Sequence, residues 1–462
     1  MSDAPNNTFL TGSLGAIYVK TALPIIFVMG MNGLLNVVDA LFLGHYVGPE
    51  ALAAVTLMFP AWMLIVATAT LVGGGMSSIL ARHVGGGRID QAQAVFAGAH
   101  GLALMLSGCL ILLFLAFGHP VAMLAAGGVE GLGEMGLVYL QISALATPLM
   151  FTLSVNSDAL RNEGRVGFMA ALSLLVSIAN ILFTHLLVAE AGLGVAGSAY
   201  GTVLAQLLSF SIVLGFRLKG RTALRPSALL RHSMTGYWGR ILALGAPQSL
   251  NFVGISFATA VVMAALQWVD SSGYDSTVSA YGIITRVLTF GFMPLLGLSF
   301  AMQTITGNNF GAAAWDRSDR SLQIGIGAAF VYSVVIQLVM TVFPRELGAA
   351  FVDDAVVIDE VTRILPIVVA TFFIAGPLMM IGSYFQAIGD AGRAALLGLT
   401  KNYVFAIPLT FGLASWIGEP GIWLAGPVSD LMLLALPRSF CERRRSLRRI
   451  AGAFFATFER GF

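Results

Sequence analysis

Asp39 stands inside an apolar run, Ala22 to Leu43, that is long enough to cross a bilayer. A charged side chain at mid-bilayer costs about 2.5–3.5 kcal/mol on insertion scales, so such a residue marks an ion or proton pathway by default. Asn32, Asn36 and Asp39 fall at i, i+4 and i+7, which puts all three on one face of a helix. Further polar residues sit in neighbouring apolar segments: Asn156, the pair Asn180 and Thr184 at i and i+4, and Thr202. In lipid each is a liability, whereas facing a protein interior they hydrogen-bond one another. A low dielectric disfavours a carboxylate while flanking amides stabilise it, so Asp39 is suited to take up and release a proton.

The elements that position these residues are membrane helices. Hydrophobic residues make up 57% of the 462 and charged residues only 10%, far below the roughly 25% charged of a soluble domain. Segments of about 20 or more apolar residues, enough to span at 1.5 Å per residue, recur at roughly 21–44, 50–80, 90–117, 134–162, 165–188, 196–218, 239–268, 278–307, 318–343, 358–388, 391–416 and 420–440. The sequence therefore predicts an all-α polytopic membrane protein of twelve transmembrane helices. The N-terminal stretch lacks a basic region and a small-residue cleavage site, so its first apolar segment is expected to stay as a helix. Cys109 and Cys441 suggest neither a disulfide frame nor a zinc or CxxC site.

Basic residues orient the helices. Of 25 Lys and Arg, 22 are assigned to one side, Arg161, Arg217, Arg393 and Lys401 among them; Arg345 and Arg363 fall on the other side and Arg286 within a helix. The positive-inside rule then places both termini in the cytoplasm of a multi-pass protein of the plasma or inner membrane. The arginine-rich tail, 441–462, sits next to the last helix and suits anionic lipid headgroups at about 1 kcal/mol per basic residue; nucleic acid is not expected as a partner.

The chain also repeats. "RNEGRVGFMAAL" (161–172) matches "GDAGRAALLGLT" (389–400), "GLGVAGSAYGTVLAQL" (192–207) matches "WIGEPGIWLAGPVSDL" (416–431), and Pro24 answers Pro247. The offset stays near 223–228 residues. Six helices per half is an even number, so the halves insert the same way up, as lobes related by a pseudo-two-fold along the membrane normal with a cavity between them. The expected organisation is an N-lobe at 1–218, a basic cytoplasmic linker at 219–238, a C-lobe at 239–440 and the tail. Aligning Pro24 with Pro247 sets Val262 opposite Asp39 and Ile255 opposite Asn32, so the acid is expected in the first lobe alone.

"PIIFVMGMNGLLNVVDALFLGHYVGPEALAA" resembles the first helix and following loop of the multidrug and toxic compound extrusion (MATE) transporters, and "RVLTFGFMPLLGLSFAMQTITGNNFGA" (286–312) resembles their eighth helix. "ALRNEGR" and "GVAGSAYGT" also fit, so the resemblance covers essentially the whole chain. It implies two six-helix bundles in a V that export amphiphilic, often cationic compounds by cation antiport. It places the first-lobe cation site on Asp39, Asn180 and Thr202. Where many members read N-x-x-x-D in the fifth helix, this chain has "NILFT", with Thr184 in the acid's place. The acids that NorM-like, sodium-coupled members carry in the seventh and tenth helices are replaced near Ile255 and Ala375. A single acid suits a proton better than Na⁺, which wants several oxygens and a charge. The resemblance is therefore to DinF-like members, with H⁺ as the coupling ion and Na⁺ as its alternative, no cofactor, no metal and a monomeric transporter.

Residues expected to line the substrate cavity are Met58, Met63 and Met293 as an adaptable apolar wall, with Gln248, Asn251, Tyr281 and Tyr384 as polar points. Arg286 reads equally as a snorkelling arginine or as a cation facing the cavity, and His185 as an interface histidine or a proton relay. A lipid-linked saccharide flippase is one alternative, which would require a strongly cationic cavity; a receptor or scaffold without transport is another. No P-loop, GxSxG or HExxH motif supports an enzyme.

Overall fold

The computed structural model describes residues 7–220, 222–269 and 273–441; the side chains of Asn36 and of a few other helical residues, Arg221, Asp270 and the basic tail from Glu442 lie outside that description. All regular structure among the described residues is helical, as the composition leads one to expect.

The first half begins with α1 (Leu14–Phe42), which runs on into a π-helical turn at Leu43–Val47. A short α2 (Pro49–Leu57) leads into α3 (Phe59–Gly85), followed by α4 (Ile89–Ala125). α5 (Glu130–Leu145) and α6 (Thr147–Asn162) form one span bent by 50°. The bend follows from the sequence: Pro148 cannot donate a backbone hydrogen bond, and the Thr147 hydroxyl donates to the carbonyl of Ala144 at 2.7 Å. α7 (Val166–Thr184) ends in a second π-helical stretch, His185–Glu190, and α8 (Gly194–Leu218) closes the half. Among its described residues the linker contains a single turn, α9 (Ala228–Arg231).

The second half repeats this plan. α10 (Trp238–Trp268), α11 (Tyr274–Gly311) and α12 (Trp315–Val342) are long, α13 (Pro344–Ala349) is short, and α14 (Ala355–Val368) with α15 (Phe372–Ile388) forms another span bent by 51°. α16 (Ala391–Leu399), a π-helical stretch at Thr400–Ala406 and α17 (Ile407–Ile417) are continuous, and α18 (Glu419–Cys441) is last. Among the described residues, nine long apolar spans, the two bent ones and α18 make up the expected twelve; most bounds fall close to prediction, but α3 starts at Phe59 and not at 50, α4 runs on to Ala125 and not 117, and α1 starts at Leu14 and not at 21. Pro24 and Pro247 both lie inside the opening helix of their half, as the repeat predicts.

The chain divides into two compact units, one of 1–253 with 307–313, the other of 254–306 with 314–462. The boundary thus falls inside α10 and α11 and not at the linker. Glycine explains why the first unit reaches so far. Gly75 of α3 lies against the carbonyl of Ile241, Gly245 against that of Leu71, and Gly85 against the backbone of Asn308. No side chain fits at these crossings, so the glycine run "LVGGG" lets whole backbones touch, as small residues do in membrane helix packing.

Two arginines assigned to loops are instead buried inside the first unit. Arg161, in the last turn of α6, pairs with Asp158 at 2.8 Å and donates to the Ser77 hydroxyl of α3 at 2.9 Å. Arg217, near the end of α8, is 2% exposed and holds Glu163 at 3.1 Å. A charge count cannot separate such residues from solvated ones, because their partners are fixed by packing and not by the local sequence. Outward faces carry large apolar side chains, among them Leu23, Phe27, Leu112, Leu113 and Leu115, which suits a lipid environment.

Candidate coupling and binding site

α7 packs along α1, and α8 packs along α7. The second contact is close because Gly201 of α8 lies against Thr184 of α7; a Cβ there would come within 2.6 Å of the Thr184 hydroxyl oxygen. This approach sets Asn180, one turn before Thr184, between Asp39 on α1 and Thr202 on α8. In one orientation of its amide, Asn180 donates from Nδ2 to Asp39 Oδ1 at 3.2 Å, while its carbonyl oxygen accepts from the Thr202 hydroxyl at 2.9 Å. In the other, Nδ2 donates to Thr202 Oγ1 at 2.9 Å and the amide oxygen faces Asp39. The Thr202 hydroxyl has a second acceptor in the carbonyl of Ser198 at 3.3 Å. Asp39, Asn180 and Thr202 are therefore one chain of hydrogen-bonding groups across three helices, with Asn180 1% exposed at its centre.

Thr202 belongs at the same time to the wall of a small open pocket of about 20 Å³ inside the first unit. Trp62 of α3, Tyr139 and Ser143 of α5, Met150 of α6 and Gln206 of α8 are its principal lining side chains. Tyr139 also lies within electrostatic reach of Asp39. No lysine, arginine or acid is among the lining residues. The pocket offers aromatic faces, one thioether and three polar tips around a space the size of about one water molecule.

The other expected residues fall elsewhere. Asn32, on α1, is exposed and not buried as a coupling-site residue is expected to be, and the side chain of Asn36 lies outside the described residues. Thr184 is fully buried, with a hydroxyl oxygen that has no hydrogen-bond partner. Asn156 belongs to a separate network: its Oδ1 accepts from Arg217 Nε at 2.7 Å, and its Nδ2 meets His100 Nε2 at 3.0 Å. His185 packs in an aromatic group with Phe42 and Tyr46, beside Glu190.

Two residues expected in the cavity wall are core residues. Met58 is 1% exposed, packed with Ala122 and Leu140 at the junction of α2 and α3. Tyr384 is 4% exposed and donates from its hydroxyl to Asp319 Oδ1 at 3.0 Å, tying α15 to α12. Both depart from expectation for one reason: helical periodicity gives a face but not what covers it. Met63, Gln248, Asn251, Tyr281 and Met293 are partly buried, and Tyr281 packs on Trp423 at 5.6 Å between ring centres; Arg286 is exposed on α11.

The residues that sequence reasoning passes over are Trp62, Tyr139, Ser143, Met150 and Gln206, and in the second unit Asp430. Asp430 carries the same signal as Asp39, an acid inside an apolar run. It is not aligned with Asp39 in the repeat, and the expectation of a second half without an intramembrane acid is corrected by it: Asp430 lies in α18, 8% exposed at its side chain.

A profile of the MatE family matches residues 24–186 and 247–411, one copy in each half. Among curated proteins, an FAD transporter of Shewanella oneidensis is 25% identical over 430 residues, covering 92% of this chain and 93% of that one. The multidrug export protein MepA of Staphylococcus aureus is 22% identical over 424 residues, covering 90% of each. Among solved structures, the MATE multidrug transporter DinF-BH superposes with a TM-score of 0.87 at 26% identity, covering 97% and 99% of the two chains.

Proposed function

This chain belongs to the MatE family of multi-pass membrane transport proteins, and from that premise we propose that it is a proton-coupled exporter of amphiphilic, often cationic compounds. One observation carries the reading: Thr202 is shared between the hydrogen-bond chain that ends on Asp39 and the wall of the pocket. A change of charge at Asp39 therefore reaches the ligand through a single intervening amide.

The protonation state of Asp39 dictates which way the Asn180 amide must point. An ionised Asp39 accepts from the Asn180 Nδ2, and the Asn180 oxygen then takes the Thr202 hydroxyl proton. A protonated Asp39 donates to the Asn180 oxygen, Nδ2 turns to Thr202 Oγ1, and the hydroxyl proton of Thr202 turns back to the Ser198 carbonyl. Protonation thus rotates a hydroxyl in the pocket wall and removes the negative charge that a cationic ligand senses nearby. The ligand is bound in one state and released in the other, and this difference in affinity is what couples the two fluxes. The π-helical turn that begins four residues after Asp39 supplies a place where α1 can change register.

A proton is favoured over Na⁺ because one carboxylate, one amide and one hydroxyl give a hard cation too few oxygens, and Thr184 stands where a second acid would help. The similarity to the multidrug export protein MepA and the multidrug transporter DinF-BH supports the multidrug assignment. The FAD transporter raises a second substrate class, a planar nucleotide. Trp62 and Tyr139 suit its ring, but the absence of a basic side chain among the pocket-lining residues does not suit its phosphates. The excess of Lys and Arg on one side supports cytoplasmic termini in a plasma or inner membrane.

The test is dye efflux from proteoliposomes under an imposed pH gradient or Na⁺ gradient, with wild type and Asp39→Asn side by side. The pH gradient is expected to drive efflux and the mutant to bind dye but not to couple. Export driven by Na⁺ where ΔpH fails, or full coupling in the folded mutant, would refute the proposal.

A further inference from the structure

The second unit holds a charged pair where a membrane span is deepest. Lys401 lies ten residues into the 391–417 span and Asp430 eleven into α18, each about 15 Å along its helix and so near the middle of a hydrocarbon core of about 30 Å. Lys401 Nζ is 2.6 Å from Asp430 Oδ1. The contact is ionic and not an aligned hydrogen bond, so Oδ1 is satisfied by the charge of the ammonium alone. The other carboxylate oxygen, Oδ2, accepts from the Thr371 hydroxyl at 3.0 Å. Thr371 sits in the break between α14 and α15, whose free backbone groups are taken by Gln337 of α12: its Oε1 accepts from Phe373 N at 2.8 Å and its Nε2 donates to the Ala370 carbonyl at 3.0 Å. In the repeat, Asp430 corresponds to Gln206, a lining residue of the pocket in the first unit.

A carboxylate buried this deep is costly unless a positive charge lies beside it. Here the cation is supplied by the chain. We propose that Lys401 is a resident counter-ion: its ammonium occupies the position at Asp430 that a dissociable ion would otherwise take, so the bent span α14–α15 stays pinned to α18 without an exchangeable cation. The π-helical stretch Thr400–Ala406 carries Lys401, and its wider turn alters the register of α16 relative to α17. Lys401 is more exposed than its partner, 29% against 8% at the side chain, so the ammonium side of the pair is the accessible one. Removing the amine leaves a carboxylate and a space that a small free cation can fill. The inference concerns Asp430 alone and holds whichever ion Asp39 exchanges.

The experiment is thermal unfolding of purified wild type, Lys401→Ala and Lys401→Ala/Asp430→Asn at fixed pH and ionic strength, with choline replaced stepwise by Na⁺ or ethylammonium. Lys401→Ala is expected to lose stability in choline and to regain about 5 °C of Tm with the small cations, a response absent from wild type and from the double variant. Lys401→Gln serves as the second variant if Lys401→Ala is not recovered folded. Identical Tm in choline and in the small cations for whichever variant is recovered, or a double variant that responds as the single one does, would overturn the proposal. So would failure of both single variants to fold in every one of the three cations. Repeating the series in an Asp39→Asn background separates this result from that of the transport mechanism.

Discussion

Replacing Arg217 with methionine tests how the first unit holds its linker. The guanidinium donates to Asn156 Oδ1 at 2.7 Å, to the Asn156 carbonyl at 3.2 Å, to Glu163 Oε2 at 3.1 Å and to the Leu224 carbonyl at 2.8 Å, and it lies over the Phe96 ring at 4.9 Å. Glu163 in turn accepts from the Leu224 amide at 2.7 Å. Leu224 belongs to the linker, so both its backbone groups are fastened by one ion pair. Removing one partner of a buried pair costs about 3–5 kcal/mol, because the other charge is left uncompensated. A unit of roughly 250 residues loses about 2–4 °C of Tm per kcal/mol, so Arg217→Met is expected to melt roughly 10 °C lower. Adding Glu163→Gln removes the stranded charge and should recover at least half of that loss. Limited proteolysis is the second readout, with cleavage near 219–233 appearing in the single variant. An unchanged Tm and protease pattern in Arg217→Met, or a double variant no better than the single one, would refute the latch.

Three further outcomes follow from the geometry. Gly75→Val and Gly245→Val each drive a side chain into a facing carbonyl and should yield little folded protein by size-exclusion chromatography, whereas Gly108→Ala, with nothing within 4 Å, should be as stable as wild type or better. Thr202→Val keeps the volume and removes the shared hydroxyl, so coupled efflux should fall about tenfold, the upper end of one hydrogen bond's worth, with Tm nearly unchanged; equal efflux in the two proteins would remove Thr202 from the relay. Tyr384→Phe deletes one bond to Asp319 and should cost about 1 kcal/mol in unfolding while leaving transport kinetics alone.

Much of the architecture is legible because the bilayer enforces it. A span must be apolar over its full length, so twelve segments stand out, and proline and glycine positions repeat between halves. Asp39, Asn180 and Thr202 are legible for a related reason: a polar group in a span needs an internal partner. What escapes is long-range pairing. Arg161 and Arg217 look like loop charges until Ser77 and Glu163 are known to face them. Lys401 looks like a helix-end residue because the span that contains it is only moderately apolar, and Asp430 is hidden because the repeat sets Val262, an apolar residue, opposite Asp39. The pocket is the least legible part, since Trp62, Tyr139 and Gln206 come from three helices and nothing in their spacing announces that they meet.

Among the described residues Asp39 meets neutral partners and Asp430 a fixed cation; on the proposed mechanism this difference, more than the number of acids, decides which site exchanges an ion. Thr184→Asp probes the rule directly. Thr184 lies one turn from Asn180 on the same face of α7, fully buried, with its hydroxyl oxygen unbonded, so a carboxylate there would be a second acid at the relay. Two carboxylates in one buried site cannot both stay charged without a cation, and the added oxygens bring the donor set closer to what Na⁺ requires. The variant should therefore gain a Na⁺-dependent rise in Tm and Na⁺-driven efflux that wild type lacks, while Thr184→Asn, equal in shape but uncharged, should gain neither. If Thr184→Asp folds and remains indifferent to Na⁺, the charge count at this site is not what selects the coupling ion.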